Sequence, residues 1–257
     1  MTILSIPALK WSLDLIPLIL VSWLIFGFAY FFFSFLGKKF HWEQRLTGCL
    51  ILTAGLGNTS FVGLPIIEAA LGKEALKFAL LLDQAGTFVV CSTFGLWVAT
   101  FFSQGKISKK DMMKKFLVFP PFVSFAIAVC LSIFNVVPQG WAQILLERLA
   151  NMLAPLALLS VGLQLKPKEI KEQWRLLSWG LGFKLILAPM VIYALLFLFN
   201  VPQTITQVAI LEAAMPPMMT ASILASSYGL RPGLAGLMVG VGVPLSFVSL
   251  FLWYQLI

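Results

Sequence analysis

The sequence predicts an all-α polytopic membrane protein of about eight transmembrane helices, built as inverted repeats with two crossed broken helices. Three observations carry this prediction. Apolar residues make up 60% of the 257-residue chain and charged ones 11%, with a mean hydropathy of +0.96, a balance typical of membrane-spanning chains. The apolar residues fall into about eight runs, each long enough to cross a bilayer. Two of those runs are interrupted by Gly, Pro, amide and hydroxyl residues in a density that continuous helix does not accommodate.

The runs are residues 13–36, 46–71, 78–102, 116–137, 141–164, 176–200, 204–228 and 233–257. Connections are short, which leaves no room for a separate soluble domain. Basic residues gather in alternate connections: Lys38, Lys39 and Arg45; Lys106, Lys109, Lys110, Lys114 and Lys115; Lys166, Lys168, Lys171 and Arg175; then Arg231. The opposite side keeps Lys10, Lys73 and Lys77. By the positive-inside rule the odd-numbered loops are cytoplasmic and both termini face outward, in a cell inner membrane. Trp11, Trp141, Trp174 and Trp253 lie near span ends, where interfacial tryptophan is favoured.

The net charge of +8 is therefore a topological signal, and no nucleic-acid partner is expected. Cys49, Cys91 and Cys130 are isolated within apolar runs and read as buried free thiols. The first nine residues lack the basic region, length and cleavage site of a signal peptide.

The first interruption is residues 55–65, Gly-Leu-Gly-Asn-Thr-Ser-Phe-Val-Gly-Leu-Pro. The second is residues 212–222, Glu-Ala-Ala-Met-Pro-Pro-Met-Met-Thr-Ala-Ser, where consecutive prolines remove two backbone donors. Inside a bilayer, backbone that is not helical survives only where protein or a polar cavity covers it. Each break precedes a Gly-containing turn (at Gly72 and at Gly229) and one final apolar span of its half. The two breaks lie in the second and seventh spans, an offset of five, so the halves insert with opposite orientation. This is the pattern of inverted-repeat secondary transporters. Residues 1–111 then form an incomplete first repeat with core helices 13–36, 46–71 and 78–102. Residues 112–257 form a complete second one, with scaffold helices 116–137 and 141–164 and core helices 176–200, 204–228 and 233–257. Pro120, Pro121, Pro155 and Pro189 lack comparable polar neighbours and read as packing kinks.

Ionisable groups within membrane spans mark function by default. Asp14, Glu68, Asp83, Glu147, Arg148, Lys184 and Glu212 qualify. Glu147 and Arg148 read as an interfacial feature, and Asp14 as solvated at a span end. Glu212 precedes Pro216 by about one turn, Glu68 follows Pro65 by nearly one, and Asp83, Gln84 and Thr87 form a polar island in the third span. Crossing of the two breaks near the midplane surrounds one cavity with these groups. Half-helix N-termini near Ser60–Gly63 and near Pro216–Met218 would then offer free N–H groups to an anion. Glu68, Asp83 and Glu212 are candidates for holding a coupling ion, with Na+ and H+ both open and no other cofactor expected.

An enzyme reading fares badly. The single histidine, His41, lies in a basic loop, so neither a histidine metal pair nor a Ser-His-Asp triad can be assembled within one chain. A passive channel is the rival from another class, although channels usually line a pore by oligomer symmetry.

Four motifs in order resemble the auxin efflux carrier family, which includes plant PIN-FORMED proteins and bacterial malate and malonate permeases. Residues 57–65 resemble its Gly-Asn-x-x-Phe-x-Gly-x-Pro break, and Asp83-Gln84 a polar pair of the following helix in bacterial members. Residues 155–165, Pro-Leu-Ala-Leu-Leu-Ser-Val-Gly-Leu-Gln-Leu, resemble a helix end of the family. Residues 213–217, Ala-Ala-Met-Pro-Pro, followed by Ala225-Ser-Ser-Tyr-Gly229, resemble its second crossover.

The resemblance implies a bile-acid-symporter-like fold of two inverted five-helix repeats and elevator-type transport of a carboxylate such as malate, malonate or auxin. It implies substrate contact at Asn58, Thr59, Ser60, Pro65, Gln84, Met215, Pro216 and Pro217, and a homodimer formed through scaffold helices. Mapped on that fold, the chain is N-terminally shortened by two helices, and residues 1–10 look like the tail of the second. A sodium-coupled bile-acid-type symporter and a non-transporting truncated relative stay open as alternatives.

Overall fold

The computed structural model describes residues 15–103, 138–164, 167–199 and 201–257, with scattered positions between 123 and 136. Most of the expected span 116–137, including Pro120 and Pro121, lies outside the described residues. So do Asp14, residues 1–10, Trp11, Lys166 and the basic loop at 106–115.

The architecture follows from where polar backbone is tolerated. Among the described residues four helices are long and apolar enough to cross a membrane: Ile16–Lys39, Lys73–Phe102, Ile170–Leu198 and Pro232–Leu256. They pack around two broken helices whose first halves, Gln44–Gly55 and Gln203–Ala213, are largely buried. Helix α1 (Ile16–Lys39) buries Leu18, Val21, Ile25, Ala29 and Phe33 on one face and leaves Phe31 and Phe35 exposed. Both faces are apolar because the outer one meets lipid rather than water. The helix ends with Lys38 and Lys39 beside its last carbonyls, where cations favour the dipole.

Helix α2 (Gln44–Gly55) is buried from Leu46 to its end. It stops at Leu56, whose backbone is extended, and helix resumes as a π-wound turn (Thr59–Gly63) leading into α3 (Leu64–Leu71). After a short turn at Gly72 the chain runs unbroken through α4 (Leu76–Leu81), π-wound segments Leu82–Phe88 and Cys91–Gly95, and α5 (Leu96–Phe102). Helix α6 (Trp141–Gln164) coincides with the expected span and packs against the last helix.

The sixth span departs from expectation. It was placed at 176–200, but helix α7 (Pro167–Gly182) starts at Pro167 and continues through a π-wound turn (Phe183–Leu187) into α8 (Ala188–Leu198). The basic stretch read as a loop is thus helical. Proline at the first helical position is pre-set for helix, and Lys, Glu, Gln and Leu are good helix formers. The second broken helix comprises α9 (Gln203–Ala213) and α10 (Met219–Ser227), followed by α11 (Pro232–Leu256).

One smaller correction concerns a cysteine. Cys49 and Cys91 are buried as expected, but Cys130 is exposed. Trp253, read as an interfacial anchor, donates its indole N–H to the Leu185 carbonyl at 3.0 Å. That bond ties α11 to the π-wound turn, where the Leu185 carbonyl lacks the usual helical donor because Pro189, four residues on, has no N–H.

Candidate functional site: the crossover

The two breaks meet. Gly57 and Pro217 form an antiparallel bridge. The Asn58 N–H donates to the Pro216 carbonyl at 2.8 Å, and the Met218 N–H to the Leu56 carbonyl at 2.9 Å. The bonds flank the central pair, which itself exchanges none, so a residue without an N–H fits at position 217. The approach is close at Gly57: a Cβ there would stand 3.0 Å from Lys184 Nζ and 3.4 Å from the Glu212 carbonyl oxygen.

The prolines also explain what happens to α9. In a continuing helix the carbonyls of Glu212 and Ala213 would accept from residues 216 and 217, and prolines there have no N–H to give. The Glu212 carbonyl accepts instead from Met215 N at 3.3 Å, and the Ala213 carbonyl from the ammonium of Lys184 at 2.6 Å. Lys184 thereby sits at the negative end of the α9 dipole. It belongs to the π-wound turn, which is held on one side by packing of Phe183 against Phe28, Phe32 and Phe33, with ring centroids 5.1–5.2 Å apart.

On the first break, Asn58 caps the half-helix that follows. Its side-chain oxygen accepts from Phe61 N at 3.1 Å, and its own carbonyl accepts from Gly63 N at 3.0 Å. Its Nδ2 is buried and has no hydrogen-bond partner among the described residues. Asp83 projects from the π-wound middle of the next span. One carboxylate oxygen takes the hydroxyls of Thr59 and Ser60, both at 2.5 Å, and the other takes Gln84 Nε2 at 2.7 Å. Asp83 is 2% exposed, so these three donors replace the water a buried carboxylate loses.

Glu212 is 1% exposed, and neither of its carboxylate oxygens has a hydrogen-bond partner among the described residues. It lies against the first break: a Cβ on Gly63 would stand 2.6 Å from its Oε2. Glu212, Lys184, Thr59, Ser22 and Thr87 line one cavity of about 10 Å³, room for about one water. The Ser22 and Thr87 hydroxyls close its far wall with a 2.8 Å hydrogen bond. A larger hollow of about 710 Å³ lies between α7 and α11, lined by Leu177, Leu181, Ile186, Val248 and other mostly apolar side chains. No charged side chain lines it among the described residues.

The structure therefore brings together Asn58, Thr59, Ser60, Asp83, Gln84, Glu212, Met215, Pro216 and Pro217. Pro65 and Glu68 are placed differently, on the exposed side of α3. Lys184 was noticed as an intramembrane charge but not assigned to the site. Nothing local marks it, since its partners lie about 30 residues on in the chain and across the fold. Glu147, by contrast, is bonded within its own helix, accepting from Gln143 Nε2 at 3.0 Å.

Residues 3–254 match the family model described as membrane transport protein. An uncharacterized transporter of Methanocaldococcus jannaschii is 29% identical over 226 residues, covering 85% of this chain and 71% of that protein. An uncharacterized transporter of Methanothermobacter thermautotrophicus is 28% identical over 211 residues, covering 82% and 68%. With a match along almost its whole length and apolar helices that suit a multi-pass membrane protein, the chain belongs to the membrane transport protein family, the auxin-efflux-carrier-like family its motifs resemble.

Proposed function

We propose that this protein is a secondary active carrier of a small organic anion, a carboxylate of the malate, malonate or auxin kind. The observation that carries the reading is the backbone-paired crossover with polar atoms buried beside it, Asn58 Nδ2 and the Glu212 carboxylate, that have no hydrogen-bond partner among the described residues. Two half-helices start there, at Thr59 and at Met219, and helix N-termini favour anions. Asn58 Nδ2 supplies a further donor. Asn58, Thr59, Ser60, Gln84, Met215, Pro216 and Pro217 are the proposed substrate-facing residues, with Pro65 at the edge of the same half-helix. Asp83 and Glu212 are the proposed coupling groups. Glu68, exposed on α3, would join them only in another conformation.

Alternating access is proposed to be elevator-like, with residues 1–111 and 112–257 as inverted repeats and dimerisation through scaffold helices. The sequence order of the breaks and the family resemblance support this. The charge distribution supports cytoplasmic odd-numbered loops, outward termini and a cell inner membrane.

A sodium-coupled reading has one observation in its favour: Glu212, whose carboxylate has no hydrogen-bond partner among the described residues, ends a half-helix beside carbonyls whose helical donors prolines have removed. Uptake of labelled malate and malonate into proteoliposomes, under sodium, proton or no gradient, tests the proposal. Gradient-driven, saturable uptake is expected. Absence of uptake for every carboxylate tried would sink the carrier reading, and ohmic current would replace it with a channel.

A further inference from the structure

Lys184 is 1% exposed within the apolar span Ile170–Leu198. A buried ammonium is costly unless opposite charge and acceptors surround it. Two features supply them. The Ala213 carbonyl, deprived of its helical donor by Pro217, accepts from Nζ at 2.6 Å. The Glu212 carboxylate lines the same small cavity and has no hydrogen-bond partner of its own among the described residues.

A freed half-helix carbonyl next to a carboxylate is the oxygen set with which broken-helix carriers hold an alkali cation. We propose that Lys184 is the resident counter-cation of the crossover, a tethered positive charge standing where a free alkali cation would otherwise bind between Ala213 and Glu212. It carries the same single charge, holds the Ala213 carbonyl and shares its cavity with the Glu212 carboxylate. The turn that presents it is fixed by the phenylalanine cluster around Phe183 and by the Trp253 bond to Leu185, so little ordering is left to be done when it binds. A sodium ion entering as well would face a like charge at close range, in about 10 Å³ of space, where low dielectric strengthens repulsion.

The consequence for transport, that uptake needs no sodium, rests on the crossover being the transport site. The test itself needs no substrate, so the two readings fail separately. Thermal unfolding of the full chain in nanodiscs is measured in sodium, potassium and choline chloride at matched ionic strength. The wild-type midpoint is expected to be the same in all three. Lys184→Met should lower the midpoint and acquire a saturable stabilisation by sodium or potassium of about 5 °C or more. Lys184→Met combined with Glu212→Gln should recover most of the loss and respond to no cation, because the unpaired charge has gone. Saturable sodium stabilisation of the wild type would overturn the proposal. So would a folded Lys184→Met chain indifferent to cations, or a double variant no more stable than the single one. If Lys184→Met does not fold, a cation-insensitive wild type with a folded double variant supports the proposal, and a double variant that also fails to fold overturns it.

Discussion

Gly57 and Pro217 face each other across an antiparallel bridge deep in the protein, and the pair solves two problems at once. Gly57 has no side chain to collide with Lys184, and Pro217 has no N–H to leave unpaired. The hydrogen bonds that hold the breaks together come from their neighbours, Asn58 and Met218. The same proline releases the Ala213 carbonyl that Lys184 then takes.

Pro217→Ala should restore a helical donor for the Ala213 carbonyl in competition with Lys184. The expected outcome is a folded protein with uptake reduced at least roughly tenfold, equivalent to about one lost hydrogen bond. Uptake at the wild-type level with an unchanged midpoint would show that the freed carbonyl plays no part.

Asn58 has two separable tasks, capping through Oδ1 and presenting Nδ2 to the site. Asn58→Ser keeps a good cap and removes the amide donor, so uptake should fall while the unfolding midpoint holds. Asn58→Ala should lose uptake and also about 1 kcal/mol of stability. Equal midpoints for the two variants would refute the division.

Thr59 and Ser60 share one oxygen of Asp83. Thr59→Val and Ser60→Ala should each destabilise, by about 1–3 kcal/mol when a buried charged acceptor loses its donor. The Thr59 change should cost more, since Thr59 is 3% exposed and Ser60 is only partly buried. Because both act on the same atom, the double variant should depart from additivity in denaturant unfolding.

Gly63→Ala places a methyl group 2.6 Å from Glu212 Oε2. Overpacking of this kind costs about 1–3 kcal/mol. The cost should largely vanish in a Glu212→Ala background, which a thermal double-mutant cycle reads directly. A penalty that is the same in both backgrounds would place the clash elsewhere.

Arg231 adopts a left-handed backbone at φ 49° and pairs with Glu43 at 2.8 Å, both side chains half exposed. Its ion pair is worth below about 1 kcal/mol there, and the backbone strain is comparable. Arg231→Gly should therefore be more stable than Arg231→Ala in thermal unfolding, since glycine alone relieves the strain.

The breaks themselves were legible in residues 55–65 and 212–222, because glycine and proline act on backbone within one turn of themselves. Residue by residue, the half-helix starts expected near Ser60–Gly63 and near Pro216–Met218 fall at Thr59 and Met219. Asp83 was legible as part of a polar island, but its partners were not, since Thr59 and Ser60 lie more than 20 residues earlier. The π-winding beneath Asp83 and Lys184 left no trace in composition. The helical start at Pro167 was masked by charge, which hydropathy counts as loop although Lys and Glu form helix readily.

Local chemistry in the sequence thus determined that this is a membrane-spanning helical chain, where its helices are interrupted, and which side chains are too polar to be there without purpose. Only the tertiary structure decided that the two interruptions pair with each other, that Lys184 answers the carbonyl Pro217 frees, and that Glu68 faces outward while Glu212 is enclosed. Helix breaking depends on the residue and its nearest neighbours. Compensation of a buried charge depends on whichever chain segment arrives beside it, and separation along the sequence does not encode that.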